Sequence, residues 1–156
     1  MARLVDFLRP ELCVMDLKAK NKEQAIRELA DVLEKNGKIK DKADFIKHVL
    51  EREQLGSTGI GNRVAIPHAP THSVDGIALC FGRSLEGIDF QSLDGQEVNA
   101  IFLIGTCPSD ISTYLKILAS LAQLVNQRQF LEEFLHASTV QELISVLKKF
   151  ELGHKK

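Results

Sequence analysis

The 156-residue sequence contains no tryptophan and one tyrosine, and aromatic residues make up only 6% of it, which predicts a mainly aliphatic core. It also lacks any apolar run close to the roughly 20 residues that a membrane-spanning helix requires. Asp6 and Arg9 interrupt the N-terminal segment, so it has no signal-peptide core. We therefore expect a cytoplasmic protein without a membrane-inserted segment.

Cysteine is scarce and the charge is balanced. Cys13, Cys80 and Cys107 lie far apart and form no C-x-x-C pair, which fits reduced thiols better than a disulfide framework. Lysine and arginine together number 20, and aspartate and glutamate 21, for a net charge of -1. This balance gives no electrostatic reason to expect nucleic acid or an anionic membrane as a partner.

Apolar residues make up 44% of the sequence, which is enough to form the buried core of one domain. Apolar residues at helical spacing predict five helices, at about 21–36, 41–54, 110–127, 129–136 and from Ser138 or Thr139 onwards. Short apolar runs predict strands at about 12–17, 64–66, 77–81 and 100–104. Glycine and other turn-forming residues predict loops at 56–62 and 84–96. Helices interleaved with short buried strands predict an α/β layered domain.

The segment from Glu51 to Ala69 carries the side chains best suited to chemistry. It runs from a helix end through a Gly-Ser-Thr loop into a short strand, and Pro67 should end that strand and hold His68 at the exit from the sheet. Ser57, Thr58 and the loop amides can donate hydrogen bonds to an anion, and Arg52 suits a phosphoryl group. These residues favour phosphate carried on His68. A plain turn with a surface histidine is the alternative.

Other site classes find little support. The loop glycines do not follow the dinucleotide-binding order, and neither a nucleotide P-loop nor a G-x-S-x-G hydrolase motif occurs. His68 and His72 lie four residues apart, but Pro70 prevents a helix between them and no third ligand is nearby. No metal or cofactor is therefore expected.

Several motifs together resemble a known family. They are the Pro-His pair within Val64-Ala-Ile-Pro-His-Ala69, the loop Leu55-Gly-Ser-Thr-Gly-Ile-Gly-Asn62, the helix that carries Arg52, and the later helix with Ser112-Thr-Tyr-Leu-Lys-Ile-Leu118. The chain resembles enzyme IIA of the bacterial phosphoenolpyruvate-dependent phosphotransferase system, fructose/mannitol type, over about Leu4 to Phe150. The chain length and the loop look most like the nitrogen-regulatory branch. This resemblance implies one IIA type-2 domain over 1–156, with a mixed sheet, helices on both of its faces, and a frayed tail from Gly153.

The resemblance also implies a mechanism. His68 matches the histidine that accepts phosphate from a histidine-containing phosphocarrier protein, and Arg52, Ser57 and Thr58 match residues around it. Sugar-transport relatives pass the phosphate to a cysteine of a IIB partner, whereas regulatory relatives use it to bind or release protein targets. A regulatory carrier is our first hypothesis and a sugar-specific IIA the second. A binding module that has lost phosphotransfer is the third.

Two positions depart from the family pattern. Tyr114 stands where many relatives have a second histidine, and it either bonds the phosphate and retunes the transfer or is a partly buried helix residue. Arg63 stands where relatives often have glycine, and it either adds positive charge near the site or faces solvent. An apolar rim containing Ile60 and the Ala69-Pro70 turn would suit a transient partner.

Overall fold

The computed structural model describes residues 3–153. Within this range it has six α-helices: α1 Leu4–Phe7, α2 Lys22–Lys35, α3 Lys42–Leu55, α4 Ile111–Val125, α5 Arg128–Leu135 and α6 Val140–Gly153. The same range has six strands: β1 Cys13–Val14, β2 Gly59–Gly61, β3 Val64–Ala65, β4 His68–Pro70, β5 Ile77–Ile88 and β6 Val98–Thr106. The predicted frayed tail, past Gly153, lies outside the described residues.

The strands form one mixed sheet in the order β1-β5-β6-β3-β2, and β4 also pairs with β6. The antiparallel pair β5 and β6 occupies its centre, whereas β1 lies parallel to β5, and β3 and β4 lie parallel to β6. Strand β6 is almost entirely buried, and β5 is buried from Ala78 to Ser84 but exposed at Leu85 and Glu86. The other four strands are two or three residues long.

Strands β3 and β4 behave as one strand with a short interruption. Val64 pairs with Ala100 and His68 pairs with Ile104, so the register does not change across Ile66 and Pro67. The prediction that Pro67 ends the ladder is therefore wrong. Pro67 lacks an N–H, but its carbonyl still accepts a hydrogen bond from the Ile104 amide at 3.0 Å, and pairing resumes at His68.

Helices cover both faces of the sheet. On β5, the Cys80 thiol contacts the Leu29 carbonyl of α2, whereas the ring of the next residue, Phe81, packs against Phe134 of α5 with the ring centroids 5.0 Å apart. Successive side chains of a strand point to opposite faces, so α2 and α5 lie on opposite sides. The predicted α/β layered domain with a mixed sheet is confirmed.

The core is mainly aliphatic, as predicted, and it also contains most of the aromatic side chains. Six of the eight phenylalanines are fully buried. Four of them form a continuous cluster between the sheet and α5, with the Phe81 and Phe102 centroids 5.0 Å apart and those of Phe130 and Phe134 4.9 Å apart. The low aromatic content therefore understates the role of aromatic packing, because nearly all of it is placed inside.

Two predicted loops contain strand. Strand β5 continues through a bulge to Ile88, inside the segment predicted as turns, and β2 lies inside the predicted 56–62 loop. A two-residue turn at Asn62 and Arg63 joins β2 to β3 and brings Gly61 opposite Val64. No helix within residues 3–153 is both long and apolar enough to span a bilayer.

Candidate functional site

His68 lies half-buried on β4, and its ring is oriented by the backbone just before it. Its Nδ1 lies 2.7 Å from the carbonyl oxygen of Ile66. A carbonyl oxygen can only accept, so Nδ1 carries the proton and donates it in this bond. In the neutral ring the lone pair is then on Nε2, which makes Nε2 the nucleophilic atom.

The surroundings of His68 keep its ring neutral. Burial lowers the pKa of His68, and the positive charge of Arg52 lowers it further. The bond to Ile66 and the charge of Glu53 act in the opposite direction, but the pKa stays below its ordinary value. A neutral imidazole is the form that can attack phosphorus.

Tyr114, in the first turns of α4, faces the His68 ring. The two ring centroids lie 5.8 Å apart with the planes tilted by 60°. Tyr114 is 4% exposed, and within residues 3–153 its buried hydroxyl has no hydrogen-bond partner. Burial raises the pKa of Tyr114, so its proton is held firmly. The site thus contains an unused donor beside a nucleophilic nitrogen.

Arg52, in the last turn of α3, supplies the positive charge. Its Nη1 donates to the Gly56 carbonyl at 2.9 Å, which anchors the side chain across the end of the helix. Its charge lowers the pKa of both His68 and Tyr114, so it acts on both rings. The structure therefore brings together three residues that the sequence singled out: Arg52, His68 and Tyr114.

The hydroxyls of Ser57 and Thr58 make bonds within their own loop. Ser57 Oγ donates to the Phe90 carbonyl and accepts from the Gly59 amide at 2.9 Å. Thr58 Oγ1 donates to the Glu53 carboxylate, and the Thr58 amide donates to the same carboxylate at 3.3 Å. Both side chains hold the shape of the loop beside the site. Direct contact of either hydroxyl with phosphate stays a prediction.

Sequence reasoning missed Glu53, the acceptor of both Thr58 bonds. Glu53 is 7% exposed, and Lys22 Nζ lies 3.0 Å from its carboxylate. Lys22 in turn lies over the ring of Phe90, 5.3 Å from its centroid. The helical spacing could have indicated its role. Glu53 continues the apolar face of α3 at the spacing set by Ile46 and Val49, and a charged residue on a buried face needs a partner.

Two expectations about the surroundings can be compared with the structure. Of the two alternatives for Arg63, the structure supports the one that faces solvent, because Arg63 is exposed. It lies in the turn before β3, five residues before His68 and about 16 Å away at a rise of about 3.3 Å per residue. Ala69 is 2% exposed and cannot belong to an apolar rim. Ile60, at 44% exposure, and Leu115, next to Tyr114 and 57% exposed, do present apolar surface. Within residues 3–153 no group of three or more His, Cys, Asp or Glu side chains is arranged to hold a metal ion.

Comparison with known proteins identifies the family of this chain. Residues 6–150 match the protein family described as "Phosphoenolpyruvate-dependent sugar phosphotransferase system, EIIA 2". The chain is 34% identical over 149 residues to the PTS system fructose-specific EIIABC component of Bacillus subtilis (strain 168). That match covers 96% of this chain but only 24% of the longer relative.

Two solved structures share the fold. The nitrogen regulatory protein IIA-Ntr from Neisseria meningitidis superposes with a TM-score of 0.86 at 28% identity, covering 92% of this chain and 98% of that one. Enzyme IIA-Mtl of Escherichia coli, solved in complex with phosphorylated enzyme IIB-Mtl, superposes with a TM-score of 0.77, covering 90% of this chain and 98% of that one. Its identity is 22%, so this second likeness concerns the fold alone.

Proposed function

This chain belongs to the EIIA 2 family of the phosphoenolpyruvate-dependent sugar phosphotransferase system and is a phosphoryl carrier, and we propose that it carries the phosphoryl group on Nε2 of His68. The observation that supports this assignment most directly is the bond from His68 Nδ1 to the Ile66 carbonyl. It fixes the tautomer and leaves Nε2 as the unprotonated nitrogen. His68 is thereby prepared for attack before any donor arrives.

We propose a histidine-containing phosphocarrier protein as the donor. The lone pair of His68 Nε2 forms a new N–P bond while the N–P bond of the donor breaks and the donor imidazole leaves with its electron pair. The proton stays on His68 Nδ1, hydrogen-bonded to the Ile66 carbonyl, throughout the transfer. Because Nε2 carries no proton, this chain needs no base. The transfer requires no cofactor, because alignment and charge compensation supply the catalysis.

Arg52 and Tyr114 are the residues we propose to hold the phosphoryl oxygens. The guanidinium offers charged donors, and within residues 3–153 only Nη1 is engaged, with the Gly56 carbonyl. The Tyr114 hydroxyl is buried beside the His68 ring and has no partner within the described residues. A phosphoryl oxygen on Nε2 would satisfy it. Ser57 and Thr58 contribute by holding the loop, and their hydroxyls could reach the phosphate only by exchanging the bonds they now make.

Intact mass spectrometry tests this proposal. The chain is incubated with phosphoenolpyruvate, enzyme I and the phosphocarrier protein, beside the variants His68→Ala and His72→Ala. We expect an acid-labile gain of one phosphate in the wild type and in His72→Ala, whose altered histidine is exposed and four residues away. His68→Ala should gain none. No gain in the wild type with an active phosphocarrier would favour a binding module that does not accept phosphate.

We propose nitrogen regulation as the role, with sugar-specific transfer as the alternative. The IIA-Ntr likeness, at a TM-score of 0.86, supports the first. The fructose-specific relative at 34% identity supports the second. Incubating the phosphorylated chain with a IIB protein that has a reactive cysteine separates them. Phosphate transfer to that cysteine would favour the sugar role, and retention on His68 the regulatory one.

The location and the domain boundaries are part of the same proposal. Cys13, Cys80 and Cys107 are all free thiols, which suits a reducing compartment, so we propose that the chain is cytoplasmic. We assign residues 1–156 to one EIIA type-2 domain with its core at about 4–150. Ile60 and Leu115 provide exposed apolar surface for partners that must dissociate after transfer.

A further inference from the structure

A second cavity lies at the other end of the strand from His68. It encloses about 520 Å³ where the turn between β2 and β3 meets the junction of α4 and α5. Such a volume is within the range of small-molecule sites, about 300–1,000 Å³. Arg63 lines this cavity, about 16 Å along the strand from His68 at about 3.3 Å per residue. Its occupant would not touch the phosphoryl-transfer site.

The charged groups of this cavity favour an anion. Arg63 and Arg128 both line it, and neither forms an ion pair with a carboxylate of residues 3–153. Arg63 Nη1 donates to the side-chain oxygen of Asn99 at 3.2 Å, which orients the guanidinium without neutralising it. The other titratable residues of the lining are Glu132 and His136. The lining therefore contains two guanidinium groups and one carboxylate.

The backbone at Arg63 adopts a conformation that disfavours this residue. Asn62 and Arg63 have φ values of 55° and 64°, the left-handed pair of a type I′ hairpin turn. Glycine is strongly preferred at the second of these positions, and an arginine there costs free energy. Residues held in such conformations concentrate at ligand sites. Here the unfavourable backbone conformation places the Arg63 guanidinium at the mouth of the cavity.

The rest of the lining is partly apolar and partly polar. Leu131 and Leu135 of α5 and Val125 of α4 provide apolar surface, while Gln96 and Asn126 provide amides that can both donate and accept. We propose that this cavity binds a nucleoside monophosphate: its phosphate between the two guanidinium groups, its base against the apolar surface and its ring heteroatoms facing the amides. This binding is independent of phosphate on His68.

An NMR titration with adenosine 5′-monophosphate tests the proposal on the full chain. We expect saturable shifts of the backbone amides at Asn62, Arg63, Asn126 and Arg128. Adenosine alone and inorganic phosphate alone should each bind at least about tenfold more weakly, because each lacks half of the recognised group. His68→Ala should bind like the wild type, so failure of the His68 assignment and failure of this one are distinguishable.

Arg63→Gly is the decisive variant because glycine fits the turn. It should lose at least about tenfold in affinity while its melting temperature is no lower than that of the wild type. Arg128→Gln should lose affinity similarly without altering the turn. The proposal is overturned by the absence of saturable shifts, by equal affinity in Arg63→Gly, or by shifts confined to the surroundings of His68. Equal binding of inorganic phosphate would overturn the assignment of a nucleoside.

Discussion

The ring of Tyr114 lies 5.8 Å from the ring of His68, and within residues 3–153 nothing hydrogen-bonds the buried Tyr114 hydroxyl. A buried hydroxyl without a partner costs about 1–3 kcal/mol of stability. It is placed beside the one nitrogen that the Ile66 bond leaves free to react. A phosphoryl oxygen on Nε2 would accept a hydrogen bond from the Tyr114 hydroxyl and so remove this cost. The positions of α4 and β4 therefore prepare the site for the phosphorylated state.

Replacing Tyr114 with phenylalanine should separate stability from transfer. Tyr114→Phe removes a hydroxyl that has no partner, so the free energy of unfolding should stay equal or rise by up to about 1 kcal/mol. Phosphorylation should slow by about tenfold, because the loss of one hydrogen bond to the phosphoryl group is worth about 1.4 kcal/mol. Urea unfolding and rapid-quench mass spectrometry measure the two effects.

The matched variant Tyr114→His restores a donor and introduces the residue that many relatives have. It should phosphorylate faster than Tyr114→Phe, and a changed rate relative to the wild type would show that position 114 tunes the transfer. If neither variant changes the rate, Tyr114 is a packing residue of α4 and has no part in the mechanism.

The pH dependence of phosphorylation should reflect the lowered pKa of His68. Burial, followed by the charge of Arg52, disfavours the imidazolium, so Nε2 keeps its lone pair at pH values where an ordinary histidine is already protonated. The rate should hold as the pH falls through 6.5, the unperturbed value, and decline only below it. NMR titration of the His68 ring and the phosphorylation rate should give the same midpoint.

Arg52→Gln provides the comparison for that profile. Removing the positive charge should raise the pKa of His68 and move the decline of the rate to higher pH. The plateau rate should also fall by more than about tenfold, because the phosphoryl charge loses its compensation. An unchanged midpoint together with an unchanged plateau would contradict the role of Arg52 at the site.

Glu53 should matter for stability more than its position at a helix end suggests. Its carboxylate accepts from Thr58 and pairs with Lys22 in a largely buried setting. Glu53→Gln leaves the Lys22 ammonium without its counter-charge, and removal of one partner of a buried pair costs about 3–5 kcal/mol. Chemical denaturation should show this loss, with a smaller loss in the double variant Glu53→Gln/Lys22→Met than in Glu53→Gln alone.

Glu23→Gln is the control, since Glu23 pairs with Arg27 on an exposed helix face. Its free energy of unfolding should match that of the wild type. A Glu53→Gln variant as stable as this control would mean that the buried pair only balances its own desolvation.

Local signals in the sequence were sufficient for the helices. Asn21, where the first predicted helix begins, caps α2 by accepting from the Gln24 amide at 2.9 Å. Before α6, Thr139 Oγ1 accepts from the Glu142 amide at 3.0 Å, so of the two predicted starts Thr139 is the capping residue. These interactions join residues three apart, so the sequence pattern contains both partners.

The site could be predicted only in part, because its details depend on residues far apart in the chain. The motif singled out Arg52 and His68, and their approach follows from the packing of α3 against β4. The burial of Glu53 depends on Lys22 and Phe90, and the isolation of Tyr114 on the arrangement of α4 over the sheet. These residues are far apart in the chain, so no sequence spacing predicts their contacts. Arg63 faces solvent, which was one of its two predicted alternatives, because an extended strand separates it from His68 although the two are close in sequence.

Gly59 is required by space rather than by backbone conformation. A Cβ at this position would collide with the Oγ of Ser92 and come within 3.0 Å of its Cβ, while φ at Gly59 is not in the left-handed region. Gly59→Ala should therefore push the segment around Ser92 away from the 57–59 loop. It should weaken the bond from Ser57 to Phe90 and cost about 1–3 kcal/mol of stability, the usual range for overpacking.

Ser92→Gly should rescue Gly59→Ala if this account is right. Removing the Ser92 side chain eliminates the atoms in collision, and its buried hydroxyl has no partner within residues 3–153 whose bond would be lost. The double variant should recover most of the stability and, because the loop regains its place beside His68, most of the phosphorylation rate. Gly153→Ala is the control and should be as stable as the wild type, because no atom of residues 3–153 lies within 4 Å of the added Cβ. If the double variant is no more stable than Gly59→Ala, steric conflict with Ser92 is not the cause, and the requirement for glycine lies in the backbone of β2.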